Sequence, residues 1–215
     1  MKLRSAVTLL FSWLAVVGLH AKDAAKPDIV FIVVDDLNDW IGVMGGHPQS
    51  KTPNLDALAA RGVLFTNAHC NAPQCGPSRT SFLHGVYPKS TGRYFNNPRR
   101  MPFFGDQPMQ GITSKNPPKD PVIFHRHFKQ NGYRVVSGGK VAHVNTAKMK
   151  RDLDAYLNRP QDVRGNFTDD KANLWGEGGP HNHAEEQTGD YKVARWAMEE
   201  WKKGSEKPLL MTIGF

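Results

Sequence analysis

The rhythm of apolar and polar positions changes several times along the chain, and each change marks an element. Ile29 to Val34, inside DIVFIVVDDLND, is an unbroken apolar run rich in β-branched residues that stops at two acids. Such a run predicts a central strand buried on both faces, with Asp35 and Asp36 at its carboxyl edge. KTPNLDALAARG then takes helical spacing, with Thr52 as N-cap, Pro53 at the first helical position, Leu55, Leu58 and Ala59 on one face, and Gly62 as the stop. VLFTNAH predicts a second strand that feeds the loop NAPQC. PSRTSFLHG predicts a helix opened by Pro77 and closed by Gly85.

Tyr87 to Lys119 is crowded with Pro, Gly and Asn and predicts a long ordered loop or insertion. DPVIFHRHFKQNG predicts a further helix, and YRVVSGGKVAH a strand running out into a Gly-Gly-Lys turn. Asn145 to Gly189 has little periodicity and predicts irregular surface structure. DYKVARWAMEEWKKG is an amphipathic helical pattern, with Trp196 and Trp201 expected to pack, and KPLLMTIGF a buried strand. This αβ alternation, without internal repeats or low-complexity tracts, predicts an α/β domain. Ending on an apolar strand suggests that residues 22–215 are the N-terminal portion of a larger domain.

The first residues follow a different pattern. Lys2 and Arg4 precede the apolar run AVTLLFSWLAVVGL, which ends in LHA before polar KDAAKP. That predicts a secretory signal peptide over residues 1–21, cut after Ala21, and therefore an exported protein with no stable membrane anchor. At 215 residues and 39% hydrophobic, the chain can bury a real core. Its net charge of +8 comes from scattered basic residues, which favours anionic ligands mildly. No basic tract is interleaved with aromatics, so nucleic acid is not an expected partner. His181 and His183 in GPHNHAEE read as a solvated loop, and Asn166-Phe-Thr168 as a glycosylation acceptor only in a source that glycosylates exported proteins.

Cys75 carries more chemistry than its surroundings require. It lies between a predicted strand and a predicted helix N-terminus, where backbone amides and the helix dipole favour anions and thiols become reactive. Arg79 follows one helical turn later, and Asp35 and Asp36 end the strand expected alongside. A buried structural cysteine, a disulfide to Cys70 in an exported chain, or half of a metal pair are the alternatives at this stage.

These segments, in order, resemble the sulfatases. CGPSRTSFLHG resembles the family's Cys-x-Pro-Ser-Arg signature, IVFIVVDDLN its first metal-binding strand, TPNLDALAARGVLFTNAH the lead-in to the signature, and GYRVVSGGKVAH the second signature. The spacing of Lys140 and His143, with DDLNDW, resembles the iduronate-2-sulfatase-like subgroup. His84, Val135 and Gly138 depart from the usual signatures at positions that carry no chemistry. The resemblance implies an alkaline-phosphatase-like three-layer α/β/α sandwich with a mixed sheet, of which this is the N-terminal part. It implies Cys75 oxidised to Cα-formylglycine by a maturation enzyme, and one Ca²⁺ held by Asp35, Asp36 and residue 75. Arg79, Lys140 and His143 complete the implied catalytic set, with the remaining metal and sulfate ligands beyond residue 215.

The implied reaction is hydrolysis of a sulfate ester, with a sulfated carbohydrate as the expected substrate class. Hard oxygen ligands suit a divalent cation, Arg79 suits a clamp on acids, Lys140 suits a sulfate oxygen and His143 suits a proton acceptor. Two other classes fit parts of the same pattern. One is a related metal-dependent phosphoesterase, which would carry Thr or Ser at position 75. The other is a non-catalytic exported binding protein with its cysteine unmodified.

Overall fold

The computed structural model describes residues 26–91, 93–96, 122–143, 149–158, 160 and 184–215. The expected signal peptide, Asn166, His181 and His183 lie outside the described residues, as does most of the loop from Tyr87 to Lys119. Strand β1 is Ile29–Val33, helix α1 Pro53–Ala59, α2 Cys75–His84, α3 Pro88–Thr91 and α4 Phe124–Gln130. Strand β2 is Arg134–Gly139, β3 Ala155–Leu157, helix α5 Gly189–Lys202 and strand β4 Leu209–Gly214. The four strands form one sheet in the order β1-β4-β2-β3, and all three pairings are parallel. The parallel part of the expected sheet is thus what the described residues build.

Helices cover the sheet on both faces, because the side chains of β2 and β4 alternate. Val135 and Leu210 point to a cluster with Leu83 of α2, supported by Phe124 and Phe128 of α4. Val136, Met211 and Ile213 point the other way, to Val193, Trp196 and Ala197 of α5. Gly138 is part of that second face: a Cβ there would run into the Trp196 ring, so the indole fills the space a side chain would take. Trp201, expected to pack, instead stands half exposed on the same helix.

Several expectations change. Strand β1 is the edge strand of the described sheet, not a strand covered on both faces. Phe31 packs against Phe82 and Phe124, while Val30 and Ile32 face outward, 45% and 53% exposed, because α5 reaches only β2 and β4. VLFTNAH forms no strand. Val63, Leu64 and Phe65 stay exposed in irregular backbone with no ladder partner among the described residues. Helix α2 opens at Cys75, two residues before Pro77, and closes as expected at Gly85, whose φ of +64° is the left-handed conformation glycine adopts freely.

Helix α1 has the expected bounds, yet Leu55 and Leu58 are exposed. Thr52 does not cap its helix with its side chain. Its hydroxyl accepts from Gly42 N–H at 2.8 Å and donates to Asp56 Oδ1 at 3.1 Å, so it staples the helix to the preceding loop. The stretch from Asn145 to Gly189, expected to be irregular, contributes β3 to the far edge of the sheet.

Candidate active site

The carboxyl ends of the parallel strands meet at one edge, where the chain leaves β1 at Asp35 and β2 at Lys140. Strand β4 holds both exits. Gly214 C=O accepts from Lys140 N–H at 2.8 Å, and Phe215 C=O accepts from Asp35 N–H at 3.1 Å. The two backbones come close enough at Gly139 and Gly214 that a Cβ on either would collide with the other strand's main chain. Gly139 also has φ +74°, which turns the chain sharply toward the site.

Arg79 is 3% exposed and ties these exits together. Its Nη2 donates to Asp35 Oδ1 at 2.9 Å, and its Nη1 donates to the carbonyls of Lys140 and Val141, the latter at 3.3 Å. Lys140 Nζ donates to the other Asp35 oxygen. Burial by itself would raise the Asp35 carboxyl, but the hydrogen bonds and charges of Lys140 and Arg79 outweigh it and hold the group below the usual carboxylate range. Asp35 is therefore an anion braced by two cations.

Asp36 takes φ +52°, uncommon for a residue with a side chain. It lines the same cavity of about 320 Å³ as Asp35, Asn38, Cys75, Ser78 and Arg79. Two carboxylates with a carboxamide and a hydroxyl nearby form an oxygen-rich donor set of the kind hard divalent cations take. Among the described residues no three His, Cys, Asp or Glu side chains converge as a metal cluster. The donors thus fit Ca²⁺ in kind and supply only part of the six to eight oxygens it takes.

Cys75 sits at the first position of α2, part-exposed and unpaired with any cysteine; Cys70 is also a free thiol, its sulfur directed to Ala72 C=O at 3.1 Å. Cys75 Sγ lies 3.1 Å from His143 Nδ1. Burial lowers the His143 imidazole from its ordinary value, and the charges of Arg93, Lys140 and Arg79 lower it further despite Asp35. A neutral ring beside residue 75 is ready to take a proton.

All six expected residues therefore gather at one edge: Asp35, Asp36, Cys75 and Arg79 around the cavity, Lys140 on Asp35 and His143 on Cys75. Two residues join them that sequence reasoning missed. Asn96 Oδ1 accepts from Gly76 N–H at 2.8 Å while its Nδ2 lies 3.4 Å from Cys75 Sγ. Buried Arg93 donates to Thr80 Oγ1 and packs with Asn96 over Gly76, where a Cβ would strike both. Their only signal is membership of a Gly- and Asn-rich loop just after the cysteine helix, the kind of segment that carries function.

The family model described as Sulfatase matches residues 27–213. A sulfatase of Formosa agariphila is 30% identical over 207 residues, covering 90% of this chain and 39% of that protein. The iduronate 2-sulfatase of Mus musculus is 38% identical over 140 residues, covering 65% of this chain and 22% of that protein. Among solved structures, a protein bound to its substrate D-glucosamine-2-N,6-O-disulfate superposes with TM-score 0.55 at 18% identity, over 88% of this chain and 34% of that one. An alkaline phosphatase superfamily protein from Vibrio parahaemolyticus superposes with TM-score 0.50 at 20% identity, over 88% and 40%. The fold is thus alkaline-phosphatase-like, and the chain spans no more than about two fifths of these relatives' length.

Proposed function

The chain belongs to the sulfatase family, and on that footing we propose that it forms the nucleophile half of an exported enzyme that hydrolyses sulfate esters, with sulfated carbohydrate as substrate class. The observation that carries this reading is the placement of Cys75 at the start of α2, its sulfur 3.1 Å from His143 and sharing a cavity with the Arg79-braced Asp35.

Cys75 acts after a maturation enzyme has oxidised it to formylglycine. In the hydrated aldehyde, one hydroxyl attacks sulfur and displaces the alcohol; the second then loses its proton, the carbonyl re-forms and sulfate leaves as its bond to carbon breaks. His143, placed against residue 75, is the acceptor for that second proton. Arg79 keeps Asp35 ionised and fixed relative to the Lys140 turn. Lys140, which pairs with Asp35 here, is the cation assigned to a sulfate oxygen, where it would offset the charge that builds as the S–O bond breaks. Asp35 and Asp36 would hold the Ca²⁺, which when bound draws charge from the sulfate and acidifies the attacking hydroxyl. The signal peptide is removed after Ala21, in keeping with an extracytoplasmic polysaccharide substrate.

The intact protein, produced with a formylglycine-forming enzyme, tests this. The peptide containing residue 75 is expected to be lighter by about 18 Da, the difference between CH₂SH and CHO in the activated nucleophile. Cys75→Ser is expected to fold yet lose nearly all sulfate release, because serine offers one hydroxyl and cannot discharge its own sulfate ester. Wild-type turnover by that variant would refute the mechanism. Phosphate release in preference to sulfate would move the protein to the phosphoesterase class.

A further inference from the structure

The cavity that holds Cys75 shares a wall with a second one. Ala72 and Pro73 line both. The second, about 460 Å³, is bounded elsewhere by Asn71, Tyr87, Lys89, Ser90 and Tyr94, none of which has a part in the chemistry above. Helix α3 builds it: Tyr87 precedes this short turn, Lys89 lies within it and Tyr94 follows it, so a local reversal of the chain brings two rings and one cation to one hollow. Both rings are open to solvent, Tyr87 at 69% and Tyr94 at 51% exposure.

Two exposed tyrosines in one hollow suit a ligand that is part apolar and part hydroxylated. A pyranose ring is such a ligand: its C–H face stacks on an aromatic ring while its hydroxyls reach the phenol groups and nearby carboxamides. The volume lies within the range of small-ligand sites. Among the described residues that line the hollow, Lys89 is the one charged side chain and none is a carboxylate. The occupant it favours is anionic.

We propose that this hollow is the subsite for the sugar adjoining the one that carries the scissile sulfate, and that it selects a neighbour bearing a carboxylate or a second sulfate. The inference rests on the sulfate-ester reading of the Cys75 cavity, since the shared Ala72-Pro73 wall is what makes the two hollows adjacent. Its consequence is that the true substrate is at least a disaccharide, whereas a simple aryl sulfate engages the Cys75 cavity alone.

Two measurements on the intact protein decide it. In a Cys75→Ala background, calorimetric titration with a sulfated disaccharide whose second sugar is a uronic acid is expected to weaken roughly three- to tenfold for each ring removed in Tyr87→Leu and Tyr94→Leu, as for loss of one aromatic contact. Lys89→Gln, an exposed change, should abolish the preference for the uronic acid over a neutral sugar at that position. In the active protein, the same variants should lower the ratio of kcat/KM for the disaccharide to kcat/KM for para-nitrophenyl sulfate. Unchanged affinities, or a ratio that stays constant because both activities fall together, would overturn the subsite. Failure of the wild-type protein to turn over either compound would instead overturn the sulfate-ester reading, and the titration alone would then rule on the hollow.

Discussion

Asn96 holds two groups at once, the Gly76 amide at the start of α2 and the sulfur of Cys75. It serves as a positioning residue, accepting from a helix-end amide that has no partner within the helix and setting the direction of the residue-75 side chain. Asn96→Ala is expected to lower kcat about tenfold, on the scale of one hydrogen bond to a group that matters in the transition state, with KM little changed. Steady-state kinetics checks this, and a raised KM at constant kcat would assign Asn96 to substrate binding instead. At this scale the sequence was readable where chemistry clusters within a motif, as in Cys75 and Arg79 or Lys140 and His143. Asn96 and Arg93 are not readable, because their contacts reach back 13 to 21 residues, past helices α2 and α3, and leave no periodic trace.

A polar ladder runs through the core between α4, β4 and β2. His125 Nε2 lies 2.8 Å from Thr212 Oγ1, and that hydroxyl lies 2.8 Å from Ser137 Oγ. Burial pushes His125 down to about 3 from an unfolded value near 6.5. A histidine depressed in this way is neutral in the fold, so its contribution is complete above the unfolded value and is lost as pH falls. The loss accumulates as pH falls from about 6.5 toward about 3, because over that window the unfolded chain binds a proton at His125 that the fold excludes. Replacing it in His125→Asn should flatten the dependence of unfolding midpoint on pH across that window, measured by urea titration followed by circular dichroism; parallel curves for the two proteins would show that His125 does not set acid stability. Secondary structure is legible in the sequence where an apolar pattern is sustained, as in β2, α5 and β4, or where start and stop residues bracket a helix, as in α1 and α2. Strand β1 was placed correctly along the chain but not across the sheet, since an apolar run does not say how many neighbours it has. VLFTNAH has the composition of a strand without a partner to bond, and the three residues of β3 are too few to show a period.

One face of the sheet is uneven, because α5 shields β2 and β4 and leaves the same face of β1 open. Val30 and Ile32 stand there beside an edge with unpaired backbone among the described residues, the arrangement that recruits another strand. The 215-residue chain produced alone is therefore expected to self-associate, and Ile32→Lys to raise the monomer fraction, as read by light scattering with chromatography. A monomeric parent chain would show that this edge is silent. The order β1-β4-β2 also carries a consequence in time. Asp35 and Lys140 belong to strands that never touch; each is moored to the strand between them, through Phe215 and Gly214. That middle strand is the last of the four to be synthesised, so while a ribosome is still translating residues 36 to 208 the acid and the lysine have no scaffold to share. The reactive edge therefore cannot be complete until residues 209–215 have been made and have paired with both neighbours.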